Sequence, residues 1–260
     1  MKREKIYVDN RRDKILELVQ SNPNVRVNEL ADKLSVSLIT IRRDLQYLEE
    51  QKLLKRTHGG AVLLKSNTVV EPDEPDEVSY YRRLIAKYAA TLVEDGDSLF
   101  INTSSNALQM LSYVAASNVT AITNNGKVIN KEFGPGINVI LTGGELRYPK
   151  DAMVGDYAIR NLSTVFAKKA FVGCSGITPD SGMMTEIASE VSVNEVMVNH
   201  STEAVYVMAD HTKIGKRSSF ISCSIEKVKY LITDELAPED ILDEFRSKGV
   251  IVYQVKKEEI

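Results

Sequence analysis

The stretch from Ser35 to Leu48 most narrows what this chain can become. Ile41, Leu45 and Leu48 recur there at the spacing of one α-helical face. Ser37 stands just before the periodic run, where its hydroxyl can accept from the free N–H groups of the first turn. The outer face is then left with Leu38, Ile39, Thr40, Arg42, Arg43 and Gln46. A helix shaped only for solubility mixes both signs of charge. This face offers two guanidiniums, a hydroxyl, an amide and two aliphatic side chains instead. Guanidiniums pair with phosphate or the guanine edge, an amide suits adenine, and aliphatic groups suit the thymine methyl. The pattern predicts a recognition helix for DNA. Read alone, an ordinary surface helix with two solvated arginines explains the same residues, so the neighbours decide.

Arg26 to Leu34 reads as a short helix, capped by Asn28 and turning Leu30, Ala31 and Leu34 inward, and a tight Ser35-Val36 turn joins it to the next helix. That is the anatomy of a helix-turn-helix. An earlier helix, Arg11 to Gln20, is expected from its apolar face of Ile15, Leu16, Leu18 and Val19, and it stops at Pro23. Beyond Gln51, two short extended runs flank Gly59-Gly60, which predicts a β-hairpin. As the wing of a winged helix, it sets Lys55, Arg56 and His58 where phosphates or the minor groove can be touched.

These residues carry a resemblance. Val36-Ser37, Thr40-Ile41-Arg42-Arg43-Asp44-Leu45, Leu48-Glu49 and His58-Gly59-Gly60-Ala61 together resemble the signature of the DeoR family of bacterial sugar-operon regulators. Several spacings hold at once, and the likeness continues through the rest of the chain.

Charge is divided along the 260 residues. The net formal charge is −3, which by itself argues against a nucleic-acid partner. Residues 1–66, however, hold 14 Lys and Arg against 9 Asp and Glu, a net of +5, and the remainder is left at −8. A basic front end on an acidic body directs the front end toward DNA. No apolar run is long enough to span a membrane, and no apolar core follows the charged start, so a cytoplasmic protein is expected. Cys174 and Cys223 lie far apart with no ligand spacing around them, and the three histidines do not cluster. Neither a metal nor another cofactor is expected; the cysteines read as buried thiols.

Asn67 to Glu77 contains Pro72, Pro75 and a run of carboxylates, the composition of a self-repelling linker. The expected division is a winged helix-turn-helix domain at 1–66, a linker at 67–77 and a sensor and oligomerisation domain at 78–260. From Tyr80 on, apolar runs alternate with helical stretches, the first helix being expected from Arg82 to Val93. This predicts an α/β fold with a doubly wound, mostly parallel sheet.

Open sheets of this class collect ligands beyond the C-terminal strand ends. Those ends carry Asn102-Thr103-Ser104-Ser105-Asn106, Thr123-Asn124-Asn125, Thr142-Gly143-Gly144-Glu145, Gly173-Cys174-Ser175-Gly176 and Ala209 to Lys213. Hydroxyls, amides, glycines and one lysine describe a pocket for a small polyhydroxylated anion. Loops that are merely polar are the plain alternative.

The same positions resemble the DeoR sensor domain, which is similar to the ribose phosphate isomerase fold. The resemblance implies a sugar phosphate effector. Its phosphate is expected at Thr103 to Asn106 with Lys213, and its hydroxyls at Asn102, Asn124, Gly143 and Gly144. Asn102 stands where the family often has Asp, and Asn106 where it often has Ser or Thr. The alternative is a sugar phosphate isomerase-like enzyme, which needs a base in the pocket. The Gly173 to Ile177 stretch has no carboxylate, which leaves Glu145, Glu186, Glu190 and Asp210 as candidates. The expected reading is therefore a regulator, with operator DNA, a sugar phosphate and further copies of itself (a dimer or tetramer) as partners.

Overall fold

A computed structural model of the chain describes residues 11–12, 14–15, 18–19, 25–34, 36–50, 54–56, 60–63, 76–148 and 150–257. The chain separates into two compact units, residues 1–71 and 72–260.

In the first unit, α1 (Val27–Leu34) and α2 (Leu38–Glu50) precede an antiparallel hairpin of β1 (Leu54–Arg56) and β2 (Ala61–Leu63), with Arg56 opposite Ala61. Ile15, Val19, Leu30, Ile41, Leu45, Leu48 and Leu54 form one apolar cluster, each at most 2% exposed. Each such burial contributes about 1.5–3 kcal/mol. The helix expected at Arg11 to Gln20 agrees with every described residue in it, all of them helical. One expectation needs correcting. The Leu30 N–H bonds the Arg26 carbonyl, so α1 opens at Arg26 and Asn28 lies inside its first turn rather than at the cap.

The second unit begins with α3 (Asp76–Ala90), which starts inside the stretch read as linker and ends before the expected Val93. Tyr81, Ile85 and Ala89 recur on its buried face, and this apolar stripe draws the helix further upstream than the proline-rich composition suggested. Its main sheet has seven parallel strands. β3 (Ser98–Ile101), β4 (Val119–Thr123) and β5 (Ile137–Leu141) run outward on one side. On the other side of β3 follow β8 (Ala167–Gly173), β11 (Ser201–Met208), β13 (Tyr230–Asp234) and β14 (Ile251–Val255). Both faces are covered. Leu99 and Ile101 join a core with Tyr81, Ile85, Ala107 and Leu108, whereas Phe100, between them, joins Ala158, Val193, Met197 and Phe245. Strands buried on both faces must be apolar throughout, which is why they read as continuous runs.

Three helical segments of this unit are short. Ser105–Met110 forms α4 and continues as a 3-10 turn, α5 spans Asp156–Leu162, and Gly126–Asn130 is a 3-10 turn. The periodicity did not foretell the hairpin of β6 (Glu145–Arg147) and β7 (Ala152–Val154). It also missed the three-stranded antiparallel sheet of β9 (Gly176–Thr178), β10 (Gly182–Thr185) and β12 (Phe220–Cys223). Two further helices, α6 (Ala188–Asn199) and α7 (Glu239–Ser247), pack against the sheet.

Candidate functional site

The first unit presents a cap and an outer face. The Ser37 Oγ accepts from the Thr40 N–H at 3.2 Å and shares a hydrogen bond with the Thr40 hydroxyl at 2.9 Å. Along the exposed side of α2 stand Leu38, Ile39 (73% exposed), Arg42, Arg43 and Gln46. Lys55 and Arg56 lie on β1, and His58 falls outside the described residues.

The sequence reading passed over Asp44, whose carboxylate is 2% exposed and accepts from Arg11 Nε at 2.7 Å and Arg12 Nε at 3.1 Å. Arg12 also lies over the Tyr47 ring, 3.5 Å from its centroid. A signal existed. Asp44 falls three residues after Ile41, on the inward stripe of α2, where a carboxylate requires cationic partners.

In the second unit the strand order reverses between β3 and β8, the switch point where open α/β sheets bind ligands. Asn102 and Gly173 follow and end these two strands. The Asn102 amide donates to the Gly173 carbonyl at 2.9 Å and to Asn194 Oδ1 at 3.1 Å, and its oxygen accepts from the Gly173 N–H at 3.0 Å. Gly173 is needed for close approach, since a Cβ there would sit 2.0 Å from Ser104 Oγ. That hydroxyl caps α4 by accepting from the Ala107 N–H, and Ser105 opens the helix.

Strand register carries the site outward. Ile101 pairs with Thr123, and Thr123 with Leu141, so Asn102, Asn124 and Thr142 follow adjacent strands. Three buried side chains here keep an atom without a hydrogen-bond partner among the described residues: Asn106 Oδ1, Asn124 Oδ1 and Asn125 Nδ2. In two of them the other atom is engaged by the fold. Asn124 donates to the Met153 carbonyl, and Asn125 Oδ1 accepts from the Lys127 N–H. Gly143 and Gly144 have φ of 67° and 114°, and they turn the chain into β6. A side chain on Gly144 would meet the Val154 carbonyl at 2.6 Å.

On the other flank, Lys213 ends a short 3-10 turn after β11. Asp210, ahead of it, accepts from Arg82 Nε at 2.7 Å. Burial pushes its pKa upward, but the Thr212 hydrogen bond and the charge of Arg82 outweigh that and hold it below the ordinary value. The thiols are protonated at neutral pH. Burial pushes half-buried Cys174 up to about 12 against the pull of Lys213, and buried Cys223 up to about 11.

Thr103 is drawn elsewhere. Its hydroxyl donates at 3.0 Å to Glu190, which the sequence reading had named only as a possible base. Glu190, 4% exposed, also accepts from the Thr185 hydroxyl at 2.8 Å and from Lys150 Nζ at 3.4 Å. Glu190 borders a cavity of about 400 Å³ together with Arg147, Tyr148 and Lys150. No group of residues spaced to hold a metal ion occurs among the described residues. No helix among them is long and apolar enough to cross a membrane.

A winged helix-turn-helix followed by a doubly wound sheet with polar strand ends defines a DNA-binding regulator that carries a sensor domain. Residues 11–67 match the DeoR-like helix-turn-helix domain, and residues 78–235 the DeoR C terminal sensor domain. The chain belongs to the DeoR family of transcriptional regulators. It is 33% identical over 233 residues to the lactose phosphotransferase system repressor of Staphylococcus epidermidis, covering 86% of this chain and 91% of that one. It is 31% identical over 252 residues to the HTH-type transcriptional regulator GolR of Listeria innocua, covering 93% and 96%. These relatives are regulators rather than enzymes, in line with the expectation from the sequence. Among solved structures, a D-ribose-5-phosphate isomerase aligns with 52% of this chain and 54% of its own, at 13% identity and a TM-score of 0.38.

Proposed function

We propose that this regulator represses an operon for uptake or breakdown of a carbohydrate and leaves its operator when a sugar phosphate occupies the sensor domain. Arg42, Arg43, Thr40 and Gln46 read base edges from α2, with Leu38 and Ile39 against thymine methyls. Ser37, Lys55, Arg56 and His58 hold the backbone. The effector phosphate lies by Thr103, Ser104, Ser105 and Asn106 with Lys213 in support. The sugar hydroxyls meet Asn102, Thr123, Asn124, Asn125, Gly143, Gly144 and Gly173. DNA-binding, linking and sensing segments divide at 1–66, 67–75 and 76–260, the helix from Asp76 shortening the linker expected at 67–77. The sensor segment joins copies into a dimer or tetramer in the cytoplasm, because one winged helix reads few base pairs and symmetric half-sites need a symmetric oligomer.

One observation carries the sensor reading. Asn106, Asn124 and Asn125 are buried at adjoining strand ends, each with an orphaned polar atom. An unmet buried group costs about 1–3 kcal/mol, and a polyol supplies both donors and acceptors. Kinship with a lactose phosphotransferase system repressor supports a carbohydrate operon as the target. The test is operator binding measured with and without a panel of sugar phosphates. At least one should weaken binding by about 5–150-fold. Unchanged affinity with every saturating ligand defeats the proposal.

A further inference from the structure

The main sheet of the second unit ends on β5, which pairs with β4 on one side and, among the described residues, with no strand on the other. Two hydrogen bonds at its ends fix the direction of its backbone groups. The Gly136 carbonyl accepts from the Val119 N–H at 2.9 Å, and the Thr142 N–H donates to the Thr123 carbonyl at 3.0 Å. Ladder partners alternate from residue to residue, so the even positions face β4. Ile137, Val139 and Leu141 therefore turn their backbone groups to the open edge, where the Ile137 N–H is taken by the Gly134 carbonyl at 3.0 Å.

An open edge invites another strand, and proteins blunt it with lysine, proline or a bulge. β5 has none of these. From Phe133 to Gly144 the chain carries no charge, and the register with β4 runs unbroken. The opposite edge strand, β14, runs directly into Lys256 and Lys257. Apolar side chains also gather around β5. Ile129, 68% exposed, lies on the crossover into it. Ile140, 47% exposed, continues the row of Phe100 and Ile122 past the end of the core. Tyr157, 72% exposed, stands one turn before Asn161 on α5, whose amide reaches the Thr142 carbonyl at 2.8 Å.

What this edge fits is itself. Its outward positions are centred on Val139, so an antiparallel second β5 about a two-fold axis sets Val139 against Val139 of the other copy. Those two residues exchange a pair of backbone hydrogen bonds, and the Leu141 N–H meets the Ile137 carbonyl of the other copy. Side chains keep their faces in this pairing. Partly buried Ile137, Val139 and Leu141 thus join across the axis in one apolar row. Charge favours the same strip. Residues 67–260 carry a net −8, so two such bodies repel except where the surface is neutral.

We propose that two copies of this chain join edge to edge through antiparallel pairing of β5, with Val139 on the axis. Such an isologous contact closes at a dimer. It gives a surface to the oligomer proposed above, and it rests on that reading.

Sedimentation of the full chain over a dilution series tests it. Ile140→Lys, at a half-exposed position, sets two like charges on one face beside the axis. Val139→Pro removes only an outward N–H, a change that an edge strand tolerates. Each variant, checked for folding by circular dichroism, should dissociate to half the wild-type mass or raise the dissociation constant by roughly 10- to 100-fold. Val139→Cys serves if neither folds, since facing residues of an antiparallel pair lie within disulfide reach. Under mild oxidation it should join copies in pairs through residue 139, and no cross-link there overturns the inference. Association unchanged in a folded Ile140→Lys or Val139→Pro chain overturns it alone. A wild type that is monomeric at every concentration removes the oligomer reading and this one together.

Discussion

At the residue scale, the two arginine pairs of the first unit divide structure from contact. Arg11 and Arg12 are spent on Asp44, a buried carboxylate that anchors α2 from within. Arg42 and Arg43 lie on the exposed side of the same helix. Substituting Arg42 or Arg43 with Ala is therefore expected to cost about 1–3 kcal/mol of discrimination between operator and unrelated DNA. The melting temperature should not move. Competition binding with a mismatched duplex, beside a thermal melt, measures both. Asp44→Ala should do the reverse, lowering the melt because two guanidiniums lose their partner.

At the element scale, a buried ion pair fastens β3 to β8 at the end remote from the strand-end candidate site. Lys169 Nζ lies 2.8 Å from Asp97 and 2.9 Å from the Leu92 carbonyl, and both charged side chains are buried. Burial pushes Asp97 upward, but the hydrogen bonds from Lys169 and the Glu94 N–H win and hold it below its ordinary 3.8. Burial pulls Lys169 downward, and the same bonds to Asp97 and Glu94 lift it above 10.5. Signs follow from linkage. The Asp97 contribution is present above pH 3.8 and is lost as pH falls through its lower folded value. The Lys169 contribution is present below pH 10.5 and is lost as pH rises through its higher folded value. Stability from this pair should thus be flat between those limits. Lys169→Met should lower it by about 1–3 kcal/mol across that range, since Asp97 is then left with the more exposed Lys168, 3.4 Å away, as its cationic partner. Chemical denaturation at several pH values checks this.

At the scale of the whole molecule, charge is sorted between the ends of the chain: +5 in residues 1–66 and −8 in the rest. DNA affinity should therefore fall steeply with ionic strength, because each phosphate contact releases condensed counterions. A plot of log affinity against log salt should be linear, and Lys55→Ala should flatten its slope by about 0.9. An unaltered slope would remove Lys55 from the backbone contacts.

What the amino-acid order determined alone was whatever repeats with a short period. Ile41, Leu45 and Leu48 declare α2, and the unbroken apolar runs around Phe100, Phe171 and Val207 declare strands buried on both faces. The strand ends, and with them Asn102 and Gly173, could then be read off as candidate ligand positions. Hairpins of three or four residues such as β6–β7 and β9–β10 are too short to show a period. Only the tertiary structure decided the partnerships that cross long separations. Asp44 with Arg11, and Thr103, Thr185 and Lys150 with Glu190, meet because packing of the core brings distant segments together, and a buried charge then takes whichever donors that packing delivers.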